Sequence, residues 1–161
     1  MKAIVAVDLN WGIGYKGNLL KRISPDMKRF KEITINKVVV MGRKTFESLP
    51  KKEPLKDRVN IVLSKSGSIN HEKVIVCRSL NQLFNELLKY NTDNVFLMGG
   101  ESVYELLLPY CTEAYVTKIK NTYTADKYFV NLDENDSWKL IDKSDLQIYD
   151  DVEFYYTKYA K

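Results

Sequence analysis

Five short, nearly continuous apolar runs mark the N-terminal and central parts of the chain: Ala3 to Val7, Lys37 to Met41, Arg58 to Leu63, Val74 to Val76 and Val95 to Met98. A strand that is apolar on both faces must be covered on both faces, which is the situation of a central strand in a parallel sheet. Helical patterns fall between the runs. Ser24 to Thr34 opens with Ser24 as a candidate N-cap and Pro25 at the first helical position, and Ser79 to Lys89 carries Leu80, Leu83, Phe84, Leu87 and Leu88 at helical spacing. A third helix is predicted from about Gly100 to Leu108, stopping before Pro109. This alternation predicts an α/β fold: a central, mostly parallel, twisted sheet with helices on both faces.

The pattern changes after Pro109. Ala114 to Ile119, Trp138 to Ile141 and Val152 to Tyr159 are strand candidates with no helix of convincing length between them, so an antiparallel C-terminal strand pair is expected on the same sheet. Without a Pro/Gly/Ser-rich linker or an internal repeat, residues 1–161 are expected to form a single domain. A chain of this length can bury about 70% of its unfolded surface without disulfide or metal staples. Asp8 to Ile23, with Gly12, Gly14 and Gly17, shows no secondary-structure pattern of its own, and polar loops of that length are usually functional.

Composition narrows the function classes. Twenty-five Lys plus Arg against 21 Asp plus Glu leave a net charge of +4, too small and too scattered to demand nucleic acid but compatible with a small anionic ligand. One His and two cysteines, Cys77 and Cys111, with no CxxC or HExxH spacing, argue against a metal site. The cysteines read as buried thiols in a reducing compartment. The apolar start of the chain is broken by Asp8, too early for a secretion signal, and no later run approaches a membrane span. A cytoplasmic monomer is the expectation.

Three glycine turns could hold a ligand. Gly12-Ile13-Gly14-Tyr15-Lys16-Gly17 matches the dinucleotide GxGxxG string, but the apolar run before it stops near Asp8 and no helix is expected to open at Gly17, so a bending loop explains the glycines better. Met98-Gly99-Gly100 closes a strand and opens a helix; helix amides could meet a diphosphate there, and a tight turn alone would also account for the pair. Gly42-Arg43-Lys44-Thr45 repeats the arrangement, and Ser64-Lys65 and Arg78 also follow strands, placing cations at the sheet edge where open parallel sheets bind ligands. Asp26 falls in the first turn of its helix. An acid there gains from the helix dipole, or it faces a pocket where desolvation raises its pKa and lets it hold a proton.

Taken in order, Ala6 with Asp8 to Gly14, Ser24-Pro25-Asp26-Met27, Phe30-Lys31, Val40 to Ser48, Asn60 to Ser64, Met98-Gly99-Gly100 with Val103-Tyr104, and Thr117 near Asp126 closely resemble dihydrofolate reductase over nearly the whole chain. The resemblance implies reduction of 7,8-dihydrofolate to tetrahydrofolate, with a hydride passing from NADPH to pterin carbon 6 and a proton reaching nitrogen 5. Asp26 matches the acid that binds the pterin, and Thr117 the hydroxyl that supports it. Val5, Ala6, Met27, Phe30, Thr45, Leu49 and Leu55 match cleft walls, while Ile4 and Met98 match residues whose carbonyls border the pterin. Tyr104 matches a Tyr near the reacting rings, and Arg58 the clamp on the glutamate α-carboxylate.

On the cofactor side, the resemblance implies Ala6, Ile13, Gly14 and Leu19 around the nicotinamide, with the loop from Gly14 to Leu20 as a lid. Arg43, Lys44, Ser64, Lys65 and Arg78 match the cofactor-phosphate set, and Thr45, Gly99, Gly100, Ser102 and Val103 the diphosphate region. Gly42, Leu63, Met98, Glu101 and Tyr104 are further cofactor-binding residues that the resemblance implies. Antifolate-type molecules are implied ligands. The chain departs from the family pattern at Leu20-Lys21, where Pro-Trp is usual, and at Glu101, where a small residue is usual and where an outward-pointing side chain is expected. His71 matches no family site and is expected at the surface.

Overall fold

The computed structural model describes residues 1–161. In chain order its strands and helices are β1 (Lys2–Val7), β2 (Gly12–Tyr15), β3 (Asn18–Leu19), α1 (Ser24–Thr34), β4 (Val38–Gly42), α2 (Arg43–Glu47), β5 (Val59–Leu63), β6 (Val74–Cys77), α3 (Leu80–Leu87), β7 (Val95–Leu97), α4 (Glu101–Leu107), β8 (Glu113–Ile119), β9 (Lys127–Tyr128), β10 (Lys139–Lys143), β11 (Gln147–Tyr149) and β12 (Val152–Ala160). The five apolar runs all become strands. A nine-stranded sheet runs in the order β10-β12-β8-β1-β7-β4-β5-β6, with β11 also on β12.

The C-terminal part differs from the expected antiparallel block in one respect. β8 lies parallel to β1, with Ala6 opposite Thr117; in this sheet β12 alone runs against the others, antiparallel to β8, β10 and β11. The cause is the crossover: α4 carries the chain from β7 back to the start of the sheet, so β8 enters in the direction of its predecessors. Trp138 is buried just before β10 rather than within it.

Period-2 alternation within the apolar strands explains why they need two covers. On β4, Val38 and Val40 enter the main core with Leu83 and Leu87 of α3 and Val103 and Leu107 of α4. Val39 and Met41 point to the opposite face, against Phe46 of α2. On β8, Ala114 and Val116 join the main core while Ile119 packs with Ile23, Val152 and Phe154. Each fully buried side chain of this kind contributes about 1.5–3 kcal/mol of transfer free energy.

Asp8 to Ile23 is not featureless. β2 and β3 form a hairpin across Lys16-Gly17, and β9 pairs on the far side of β2 to make a separate three-stranded sheet. Lys16 and Gly17 have φ of 48° and 80°, the double left-handed turn that a two-residue hairpin loop requires. The strand before Gly12 ends at Val7 and no helix follows, so the GxGxxG string lacks its dinucleotide-binding context.

Asn60 on β5 is a buried polar residue that shapes the loop before it. Its side chain accepts from the Leu55 N–H at 2.9 Å and donates to the Leu55 and Arg58 carbonyls at 2.9 and 3.0 Å. Asn60→Ala leaves these backbone groups without partners, at an expected cost of about 2 kcal/mol. The check is urea unfolding, in which the midpoint falls while the slope stays the same.

Candidate active site

Asp26 and Thr117 meet across the gap between α1 and β8. The Thr117 hydroxyl donates to Asp26 Oδ1 at 2.5 Å, joining residues 91 positions apart in sequence. Burial pushes the Asp26 carboxyl above its ordinary range; the Thr117 hydrogen bond and the positive charge of Arg29 oppose that rise. Arg29, one turn further along α1, stacks 4.2 Å over the Tyr156 ring and 5.9 Å from that of Tyr115. Ser24 does not cap α1. Ile23 occupies that position, Ser24 is already helical, and its hydroxyl accepts from Tyr149 at 3.1 Å. Asp26 is thus the third helical residue, where free amides favour a carboxylate.

Met27 and Phe30 are half-buried on α1, as are Leu49 and Leu55 on the far side and Ile4 and Ala6 on β1. Arg58 reaches from the loop before β5 toward the end of α1. One terminal nitrogen donates to Thr34 Oγ1 at 3.2 Å and its Nε to the Lys56 carbonyl at 2.9 Å. The Thr34 hydroxyl is itself tied to the Phe30 carbonyl at 2.8 Å. Guanidinium orientation is therefore fixed through two supports, while its second terminal nitrogen makes no such bond. His71 is not a free surface residue: its ring is 3.1 Å from Glu53, it is half-buried, and it shares a concave groove with Arg58, Leu55 and Asn60.

The turns at the C-terminal ends of β4 and β7 lie side by side, the Gly42 N–H donating to the Gly99 carbonyl at 2.8 Å. Gly99 has φ of 110°, and a Cβ there would lie 3.0 Å from the Tyr104 ring. A Cβ on Gly100 would sit 3.5 Å from the Thr45 hydroxyl, so the two turns and α2 form one shallow cradle. Tyr104 is buried and donates to the Ile4 carbonyl at 2.6 Å; burial raises its pKa and keeps it a donor. Around this cradle, Arg78 donates to the Ser64 carbonyl at 3.3 Å and Arg43 pairs with Glu47 at 3.0 Å, while Lys44, Lys65 and Ser102 are exposed.

The hairpin beside the cleft is held at both ends by carboxylates. At its root the buried Asp8 accepts the Asn10, Gly12 and Tyr123 N–H groups at 2.9, 2.8 and 3.0 Å. At its tip Asp126 accepts the Lys16 N–H at 3.0 Å, and its own N–H donates to the Gly14 carbonyl at 3.0 Å. Leu20 lies near Gly12, and Leu19 is 59% exposed on β3. Glu101 turns its carboxylate to β9, accepting the Tyr128 N–H at 2.8 Å.

The sequence model of one protein family, described as dihydrofolate reductase, matches residues 1–161. The dihydrofolate reductase of Schistosoma mansoni is 39% identical over 160 residues, covering 91% of this chain and 84% of that protein. That of Bacillus subtilis is 34% identical over 138 residues, covering 86% and 79%. The chain spans only 28% of a bifunctional dihydrofolate reductase-thymidylate synthase of Glycine max. Among solved structures, Enterococcus faecalis dihydrofolate reductase complexed with NADP(H) and RAB-propyl superposes with a TM-score of 0.86 at 31% identity, covering 99% of this chain and 94% of that one.

The chain belongs to the dihydrofolate reductase family. It is an enzyme that reduces dihydrofolate to tetrahydrofolate with NADPH. The cradle suits that cofactor: Gly100 leaves bare backbone beside the Thr45 hydroxyl, Gly42 and Gly99 let the two turns pack closely against Val103 and Tyr104, and Arg43, Lys44, Lys65 and Arg78 are cations around it. Four supporting residues escaped the sequence reading: Arg29 behind the acid, Thr34 and Asn60 behind Arg58, and Asp8 at the root of the hairpin. Asp8, Thr34 and Asn60 are polar residues at buried positions, and only the three-dimensional neighbours reveal why.

Because the Asp26 pKa is raised by folding, the native protein holds its proton to higher pH than the unfolded chain does. Stability therefore falls as pH rises from the ordinary carboxylate value through the folded one. Asp26→Asn keeps the Thr117 acceptor and removes the buried charge. The variant is expected to melt higher than the wild type at neutral pH, and the gap should close on acidification below both values, as read by calorimetry.

Proposed function

We propose that Asp26 holds the pterin and supports protonation at N5, that Thr117 positions Asp26, and that Arg58 clamps the glutamate end of dihydrofolate. The observation that carries this reading is the half-buried Asp26 carboxyl bonded to Thr117 at 2.5 Å, a carboxylate kept at a wet-dry boundary by fixed neighbours. Such a group pairs with the amino and ring N–H donors of a pterin edge, two parallel bonds that set the ring's angle in the cleft. Its raised pKa brings it nearer to proton exchange at working pH than a solvent-exposed aspartate.

Ile4, Ala6, Met27, Phe30, Leu49 and Leu55 supply apolar walls that exclude water and keep the ring flat against β1, whereas the Val5 side chain is buried with Ala3 and Val7 in the main core on the other face and offers only its backbone. Met98 and Ile4 border the ring with main-chain carbonyls, and the Tyr104 hydroxyl, bonded to the Ile4 carbonyl, steadies that edge. When bound, NADPH supplies the hydride. Gly42, Thr45 and the backbone from Gly99 to Val103, Glu101 and Ser102 included, seat the diphosphate; Arg43, Lys44, Ser64, Lys65 and Arg78 take the adenosine-side phosphate, with Leu63 beneath. Ile13, Gly14 and Leu19 cover the reacting end, and the hairpin from Gly14 to Leu20 acts as the lid that excludes water.

The same reading makes the protein a cytoplasmic monomer of one domain that takes dihydrofolate and antifolate-type small molecules. Two buried free thiols, Cys77 and Cys111, suit a reducing compartment. No helix is long and apolar enough to cross a membrane.

Loss of NADPH absorbance with dihydrofolate tests these roles. Asp26→Asn is expected to lower the hydride-transfer rate by about 100-fold or more while leaving NADPH affinity within about twofold; an unimpaired rate would remove Asp26 from the chemistry. Arg58→Leu is expected to raise the KM for dihydrofolate by about tenfold or more and to leave the KM for NADPH unchanged. A variant with unchanged dihydrofolate KM would place the glutamate end elsewhere.

A further inference from the structure

Glu101 stands directly after the Gly99-Gly100 turn, as the first residue of α4. A carboxylate in that place would gain by folding back over the helix amides, yet here it reaches out to another sheet. Its Oε1 accepts the Tyr128 N–H at 2.8 Å, and Oε2 lies 3.7 Å from Lys127 Nζ. Lys127 and Tyr128 are the whole of β9, which pairs with β2 through Gly12 and Gly14. On its other edge β9 has no strand, and the Glu101 carboxylate takes the N–H that a further strand would have taken.

The bond joins two parts of the site that the backbone does not connect. On one side stands the turn that seats the diphosphate. On the other, β9 carries the hairpin through β2, the Phe129 N–H donates to the Trp11 carbonyl, and Asp126 holds Gly14 and Lys16. We propose that Glu101 is a positioning residue that couples the seating of the cofactor on the Gly99-Gly100 turn to the closed arrangement of the hairpin from Gly12 to Leu19. This rests on the reading of that turn as the NADPH diphosphate site. A ligand that orders the backbone around Gly100 fixes the origin of the Glu101 side chain and with it β9. By reciprocity, a hairpin held closed through β9 binds the cofactor more tightly, a gain that in related complexes falls mostly on the release rate.

Amide hydrogen exchange on the free protein and stopped-flow release of NADPH test the coupling in the wild type, Glu101→Ala and Glu101→Gln. A hydrogen bond to a charged acceptor at a partly exposed site is expected to change opening by about tenfold. In Glu101→Ala, amides in residues 12–19 and 126–128 should exchange about tenfold faster while α1 and α3 keep wild-type rates, and NADPH should leave about tenfold faster. Glu101→Gln keeps an acceptor for Tyr128 and should recover most of both effects. Wild-type exchange across the hairpin in Glu101→Ala, wild-type NADPH release, or a uniform rise in exchange over the whole sheet would each overturn the proposal. A wild-type protein that fails to bind NADPH would instead overturn the functional reading, a result separate from the exchange data.

Discussion

The hydrogen bond from Thr117 to Asp26 is the interaction on which the site depends. It spans the cleft between the helix that follows the hairpin and the strand that follows α4, so it can form only if the parallel sheet has closed correctly around β1. A half-buried carboxyl costs the fold stability at neutral pH, because desolvation disfavours its charged form. Thr117 and the Tyr156-stacked Arg29 offset part of that cost. What remains is a local rule violation of the kind that folds keep where chemistry needs it.

Around that pair, the parallel sheet does the arranging. Strands β4, β5, β6 and β7 all end at one edge, so the residues just beyond them converge although their sequence positions are far apart. Gly42 and Gly99 meet through a main-chain bond, and at the ends of β5 and β6 the Ser64 N–H donates to the Cys77 carbonyl while the Arg78 guanidinium donates to the Ser64 carbonyl. At the opposite end of these strands, where α1 ends and β5 begins, the buried Thr34 and Asn60 hold Arg58 in place. The hairpin beside the cleft is tied in its own way, by one aspartate at its root and another at its tip.

Much of this was legible before any coordinates. Strands such as Val38 to Met41 and helices such as α3 announce themselves because burial imposes a period on their side chains, and Ser79 caps α3 at 3.2 Å as its position implies. Gly12 to Leu19 carries no such period. Its hairpin is stabilised by β9, more than a hundred residues away, and by Asp8, so local sequence had nothing to show. β11 is three residues long, with its one aliphatic residue, Ile148, turned to solvent, so no apolar alternation marks it. α1 begins one residue earlier than Ser24 as a cap suggests, since Pro25 is equally acceptable in either frame and Tyr149, remote in sequence, claims the Ser24 hydroxyl. Asp26 and its Thr117 partner were both named through the family resemblance; Arg29, which acts on the acid by charge, becomes meaningful only in the fold.

The most direct test of this account is an NMR titration of the Asp26 carboxyl in the free protein, with Thr117→Val beside the wild type. The wild-type carboxyl should titrate above the ordinary aspartate value and rise further when the Thr117 hydroxyl is removed, because that bond stabilises the charged form. A wild-type pKa at or below the ordinary value, or one that falls or stays fixed in Thr117→Val, would contradict it.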